Sequence, residues 1–246
     1  MQDQQTGIPG REVMIVAGEA SGDLHGANLV RAMRRQVPNL RFCGMGGIEL
    51  AQAGVELLCD AAKLAVVGAV EVLSHLGDIL RARRALIDRL RNHRPALLIL
   101  IDYPHFNLLL ARKAKQLGIP VFYYISPQVW AWRSGRVRTI GRLTDRVAVI
   151  LPFEQAFYAR HGMQVDFVGH PLMDTVHPKL APSEFKTQHN IAPACPVIGL
   201  LPGSRRKEVT ALLPDFLAAA GLIAARHPQA VFLLPQAPTV SRSLLD

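Results

Sequence analysis

The sequence predicts an α/β protein: an N-terminal doubly wound parallel-sheet domain followed by the opening of a second, incomplete one. Three observations predict it. Apolar, strand-like runs alternate with helical stretches over residues 1–170. A stretch rich in proline and polar residues, 171–196, breaks the alternation and reads as a linker. The strand–helix–strand pattern then restarts at 197 and stops at 246. Strands that alternate with helices make a parallel sheet covered on both faces, whereas two strands and one helix leave a sheet face bare.

The elements follow in order. "REVMIVAG" (11–18) reads as a strand and "HGANLVRAMRRQ" (25–36) as a helix. "LRFCGMGG" (40–47) is the next strand, with a short helix running to Gly54. Apolar residues at i, i+3 and i+4 make "AVVGAVEVLSHLGDILRARRALIDRLRN" (65–92) helical. The apolar runs "ALLILID" (96–102), "PVFYYIS" (120–126), "DRVAVIL" (145–151) and "VDFVGHP" (165–171) are strands, with helices from Phe106, Arg133 and Phe153 between them. After the linker come strand "VIGLLPGSR", helix "KEVTALLPDFLAAAGLIAARH" and strand "AVFLLPQA".

Composition narrows the function classes. Half of the 246 residues are hydrophobic, enough for sizeable cores, and the polar start "MQDQQTGIPGREV" lacks the charged and apolar regions of a secretory signal. The runs "ALLILI" and "LAVVGAVEVL" fall short of the roughly 20 residues of a bilayer crossing, so the expectation is a soluble, cytoplasmic protein. The three cysteines, Cys43, Cys59 and Cys195, form no CxxC pair. They read as small core residues rather than zinc ligands or a disulfide framework. A formal net charge of +9 calls for an anionic partner without saying which. The arginine-rich runs 81–94 and 133–146 are either the wet faces of helices or the surface that meets that partner. Without zinc-finger spacing, an aromatic RNA-binding signature or a lysine-rich tail, nucleic acid is the weaker reading.

In a doubly wound sheet ligands bind beyond the carboxyl ends of the strands, so the residues just after each strand carry the information. There the chain places "GEASGD" (18–23), "DYPHFN" (102–107), "SPQVWAW" (126–132) and "PGSRRKE" (202–208), all expected to face one cleft. Gly18, Gly22 and Gly26 lack the GxGxxG spacing of dinucleotide sites. A tight turn with Ser21 or Asp23 capping the helix explains Gly22, but leaves the carboxylate of Glu19 unexplained. Asp102 is delivered by a buried strand to the same edge, as a helix cap before Phe106 or as a reacting group. Both tryptophans of the chain, Trp130 and Trp132, lie in one loop with Ser126 and Gln128, either as core or as an amphipathic ligand wall. Gly203, Ser204 and Arg205 stand where a strand turns into a helix, a setting that suits phosphate as well as an ordinary capped start with Glu208.

The motifs "VAGEASGDLHG", "AVVGAVEVL", "IDYPHFN", "SPQVWAWR", "LPFEQAFY", "VGHPL" and "LLPGSRRKEV", in this order and spacing, resemble the lipid-A-disaccharide synthase family, inverting glycosyltransferases of GT-B fold. The resemblance runs from about residue 12 to the end. It implies a GT-B-like pair of Rossmann-like domains, with an acceptor domain over 1–170 and the start of the UDP-sugar-binding domain over 197–246. It also implies transfer of 2,3-diacylglucosamine from its UDP derivative to 2,3-diacylglucosamine 1-phosphate, with release of UDP. Asp102 matches the family position regarded as catalytic, and Glu19 is a second carboxylate aimed at the same space; an inverting transfer needs a base for the proton of the attacking hydroxyl.

Under this resemblance Ser21, Gly22, Asp23, Asn107, Ser126, Gln128, Trp130 and Trp132 are the expected acceptor contacts. Gly203, Ser204 and Arg205 are the expected contacts of the donor phosphates, with neither metal nor cofactor required. Two departures accompany it: His105 stands where the family often has a second acid, and the later segments that complete the UDP-binding domain are missing. The expected setting is the cytoplasmic side of the inner membrane, held peripherally and without nucleic acid. Val66, Val67, Val70, Leu73 and Leu76, followed by arginines 81, 83 and 84, read either as an interfacial face or as a helix buried on both sides. A sugar-nucleotide epimerase of similar architecture is the second enzymatic reading. A basic lipid- or nucleic-acid-binding module is the non-enzymatic one.

Overall fold

A computed structural model of the chain describes residues 11–61, 76–132 and 134–245. They form two units, divided between Val176 and His177. The first holds seven strands: β1 (Glu12–Ala17), β2 (Arg41–Gly46), β3 (Glu56–Asp60), β4 (Leu97–Ile101), β5 (Val121–Tyr124), β6 (Arg146–Val149) and β7 (Asp166–Phe167). All pair in parallel, in the order β3-β2-β1-β4-β5-β6-β7. Its helices are α1 (Ala20–Gln36), α2 (Ile48–Gln52), α3 (Leu76–His93), α4 (Pro104–Gln116), α5 (Val129–Trp132), α6 (Arg136–Leu143) and α7 (Pro152–Arg160).

Alternation along the strands builds two cores. Val13, Ile15, Ala17, Ile99 and Ile101 pack with Ala27 and Val30 of α1 and Leu50 of α2 on one face. Met14, Val16, Leu98, Leu100, Val121 and Tyr123 pack on the other, with Leu86 and Leu90 of α3, Leu110 and Ala114 of α4 and Ile140 of α6. Because both faces are covered, β4 reads as the unbroken run "LLILI", and each of its buried side chains contributes about 1.5–3 kcal/mol. The chain therefore has the doubly wound α/β architecture that its alternation predicts.

Three local details differ from the sequence reading. α1 begins at Ala20, so most of "GEASGD" is helical. This is possible because Gly22 and Gly26 let the helix approach the sheet; added Cβ atoms would come within 3.3 and 3.0 Å of Ile101. β3 is an addition to the sequence reading, since "ELLCD" is short and begins and ends on an acid. The stretch read as linker contains a 3-10 turn (Pro171–Asp174) and helix α8 (Pro182–Gln188).

At the amino ends of the strands charge is settled within the protein. Arg89 of α3 bonds Glu12 at 2.7 and 3.0 Å and Glu56 at 2.6 and 3.1 Å. The guanidinium holds the Glu12 carboxyl below the usual carboxylate range. Burial pushes the neighbouring Cys43 thiol up to about 12, with the Glu12 charge adding to it, so this cysteine is an inert core residue. Burial also raises the Cys59 thiol. Among the described residues no His, Cys, Asp and Glu group is placed to hold a metal.

The second unit contains β8 (Val197–Gly199), α9 (Arg206–Arg226) and β9 (Val231–Leu233), with the two strands parallel. Val209 and Leu213 of α9 pack with Val240. Leu212, Leu217 and Leu222 are exposed on the same helix. By length and composition α9 is apolar enough to cross a membrane, the one such helix among the described residues.

Candidate active site

The sheet order places β1 beside β4, while α1 leaves β1 for one face and α4 leaves β4 for the other. This is the switch point at which such sheets open a crevice beyond their carboxyl ends. Gly18 and Glu19 follow β1, and Asp102 and Tyr103 follow β4. The pairs meet: a Cβ on Gly18 would lie 2.4 Å from Cγ of the Tyr103 ring. Glycine is thus required at 18, and Tyr103 lies across the turn after β1. Burial raises the Tyr103 hydroxyl above its ordinary value, and the charge of Glu19 adds to the rise.

The turn after β4 is strained. Asp102 and Tyr103 have φ values of 43° and 46°, both in the left-handed region, and neither is glycine. Ile125, at the end of the adjacent β5, has φ 59°, an outlying conformation for a β-branched residue. Each such residue costs on the order of 1–3 kcal/mol and persists only where its surroundings over-determine it. Here they do. The Asp102 N–H donates to the Ile125 carbonyl at 3.2 Å. The Asp102 carbonyl accepts from Asn107 Nδ2 at 2.7 Å and from the Tyr123 hydroxyl at 2.6 Å. Asn107 Nδ2 also donates to the Ile101 carbonyl at 3.1 Å. The N-cap position of α4 belongs to Tyr103, whose side chain makes no capping bond, which disfavours a plain helix start as the reason for this turn.

Several residues expected to touch acceptor are committed inside the protein. Asp23 is buried, and its carboxylate accepts from the N–H groups of Gly47, Glu49 and Leu50 at 2.6, 2.9 and 3.2 Å. It caps α2, not its own helix. Gly22 is a packing glycine against Ala17 and Ile101. Ser126 is buried and hydrogen-bonded to the Tyr158 hydroxyl. Asn107 is fully buried beneath the turn. All four are buried. Ser21 and Gln128 are exposed, while Glu19 and Asp102 are half-buried. Trp130 is half-buried and donates from Nε1 to Glu154 at 3.2 Å, with its ring edge-on to Phe153. The side chain of Trp132 lies outside the described residues.

Sequence reasoning missed three contributors. Tyr123 sits in the apolar run of its strand, where a phenol inside a core signals a required partner. Glu154 is buried and accepts from the N–H groups of Ile150 and Leu151 as well as from Trp130. Arg136, one of a run of arginines, lies against the exposed His105 ring at 3.0 Å.

In the second unit Gly203 has φ 124°, and the N–H groups of Ser204 and Arg205 both donate to Glu208 Oε2 at 3.1 Å. Arg205 adds a bond to Oε1 at 2.9 Å, and together these contacts hold the Glu208 carboxyl below its ordinary range. A carboxylate thus occupies the donors expected for phosphate. Val66, Val67, Val70 and Leu73 lie outside the described residues. Leu76 opens α3, with its side chain also undescribed. Further along α3, an open groove of about 420 Å³ is lined by Leu80, Arg83, Arg84, Ile87, Asp88 and Arg91.

A family model described as lipid-A-disaccharide synthetase matches residues 13–245. The lipid-A-disaccharide synthase of Geobacter sulfurreducens is 54% identical over 229 residues, covering 93% of this chain and 60% of its own. That of Nitrosococcus oceani is 51% identical over 228 residues, covering 93% and 59%. The chain therefore spans about 60% of the length of the curated relatives it matches. Among solved structures, a putative UDP-N-acetylglucosamine 2-epimerase from Listeria monocytogenes superposes with TM-score 0.64 at 10% identity, covering 96% of this chain and 64% of its own. A glycosyltransferase of kitacinnamycin superposes with TM-score 0.58 at 14% identity, covering 95% and 67%. At these identities the likeness shows the GT-B-like fold alone.

Proposed function

Because the chain belongs to the lipid-A-disaccharide synthetase family, we propose that the protein carrying it transfers 2,3-diacylglucosamine from UDP-2,3-diacylglucosamine to 2,3-diacylglucosamine 1-phosphate, releasing UDP with inversion. The observation that carries the mechanism is the strained turn that ends β4 beside the Glu19 turn, with Asp102 at its head. Strain of this kind concentrates at functional sites.

Asp102 takes the proton from the attacking hydroxyl of the acceptor, and Glu19 orients the sugar from the β1 side. Ser21, Gln128 and Trp130 line the acceptor's side of the unit. Asp23, Gly22, Asn107 and Ser126 act by holding the loops. The leaving diphosphate takes the N–H groups of Ser204 and Arg205, and Arg205 supplies a charge-assisted fork. Glu208 must turn away for this to happen. Substrates with acyl chains bring the enzyme to the cytoplasmic surface of the inner membrane. The exposed Leu80 and the arginines at 81, 83 and 84 suit anionic headgroups there.

The test is a product assay with the two acylated substrates and a chain extended to the length of its relatives. Stoichiometric UDP and disaccharide 1-phosphate are expected. Epimerised UDP-sugar without disaccharide, or salt-steep binding without turnover, would replace this reading with an epimerase or a binding module.

A further inference from the structure

We propose that Tyr123 and Asn107 are positioning residues for the reaction: they hold the left-handed turn from which Asp102 meets the acceptor hydroxyl. The inference rests on Asp102 being the base of the proposed transfer. It concerns two buried side chains that touch no substrate.

Both residues are costly where they stand. Tyr123 is fully buried in β5 beside Leu100 of β4, among apolar neighbours, where its sequence neighbour Phe122 shows that a plain ring is available to the chain. Asn107 is fully buried in the first turns of α4, and its Oδ1 finds no hydrogen-bond partner among the described residues. A buried acceptor left unmatched is tolerated only where the rest of the group is needed. The donor side of that amide is fully used, on the carbonyls of Ile101 and Asp102. Two acceptors there fix which end of the amide is nitrogen.

Both polar groups converge on one peptide unit. The Asp102 carbonyl accepts from Asn107 and from Tyr123, so both of its lone pairs are occupied, and the Asp102 N–H is held by Ile125. The backbone on either side of the Asp102 carboxylate is thereby pinned. Without these bonds, consecutive left-handed Asp102 and Tyr103 would relax toward ordinary φ values and swing the carboxylate away. Burial, and then the nearby charge of Asp102, push the Tyr123 phenol far above its ordinary value. It remains a protonated donor through any working pH.

The experiment uses a chain extended to the length of its relatives. It compares Tyr123→Phe, Asn107→Asp, Asp102→Asn and the pair Tyr123→Phe/Asp102→Asn by steady-state kinetics well below each melting temperature. Tyr123→Phe deletes one oxygen and keeps the core filled. It should lower kcat about tenfold, with KM for both substrates within about twofold, the signature of a displaced reacting group. Asn107→Asp sets a carboxylate against two carbonyl oxygens and should lower kcat about a hundredfold. If that variant does not fold, Tyr123→Phe alone decides.

In the Asp102→Asn background Tyr123→Phe should change the residual rate by less than about twofold, because its effect runs through the missing carboxylate. A Tyr123→Phe enzyme with normal kcat, or one whose tenfold loss persists in the Asp102→Asn background, overturns the inference while leaving the base assignment standing. Near-normal turnover by Asp102→Asn overturns the base assignment and this inference with it.

Discussion

The two ends of the seven-stranded sheet are built on opposite principles. At the amino ends Arg89 is shared between Glu12 and Glu56, so charge answers charge. At the carboxyl ends two acids, Glu19 and Asp102, flank Tyr103, and the backbone beneath them is strained at Asp102, Tyr103 and Ile125. Among the described residues, the other left-handed residues that are not glycine, Arg94 and Asn190, follow the last turns of α3 and α8, where such a conformation is an ordinary helix ending. The difference teaches how the two ends are held: an arginine shared by two acids fixes side chains at one end, and buried donors from Asn107 and Tyr123 fix a strained backbone at the other.

That contrast can be broken by substitution. The largest effect on stability is expected at the amino end: Arg89→Ala leaves Glu12, largely buried, without its cation and should cost about 3 kcal/mol by chemical denaturation, with kcat unchanged. The same variant tests the sign of the pH dependence. The Glu12 carboxyl is held low by Arg89, so its contribution is present above the unfolded value near ~4.3 and is lost as pH falls through the lower folded value. Arg89→Ala should lose this acid step; an acid profile identical to that of the parent would show that Glu12 is not responsible for it.

A smaller loss is expected at the carboxyl end from Gly18→Ala. Its new methyl would enter the Tyr103 ring, so about 1–3 kcal/mol should be lost together with most of the activity. Full activity in that variant would show that Tyr103 can leave the β1 turn without consequence. The smallest effect concerns His25, buried on α1 with its ring edge-on to His170 at 6.3 Å. Burial, and then the His170 charge, hold its pKa below the ordinary value near ~6.5. The unfolded chain takes up this proton first, so stability should decline as pH falls from about 6.5 toward the lower folded value. His25→Gln should flatten that decline, and a melting curve that shifts equally in both proteins would count against it.

Much of this organisation is legible in the sequence because the two sheet faces impose it. Buried parallel strands must be apolar throughout, which makes "LLILI" and "MIVA" plain, and the loops after them are where a ligand crevice opens in such sheets. Residue roles were less legible. Asp23, Asn107 and Ser126 are polar residues in the expected loops, and only their burial and bonding partners show that they are committed inside the protein. Capping of α2 by Asp23 joins residues more than twenty apart in sequence, a relation without a local pattern. β3 was missed because "ELLCD" at the sheet edge lacks the long apolar run of a central strand. Tyr123 was missed because one hydroxyl does not disturb the pattern of the strand that carries it.

The measurement that bears most directly on the account is turnover of Asp102→Asn, made beside its unfolding free energy in a chain extended to the length of its relatives. Asparagine keeps the size of the side chain and the peptide unit that Asn107 and Tyr123 hold, so the variant should still fold and unfold cooperatively. Turnover should fall at least about a hundredfold, the lower scale of general-base catalysis. Turnover close to that of the parent, or a loss of activity accompanied by an equal loss of folding, would contradict the claim that this end of the sheet is built to present a base.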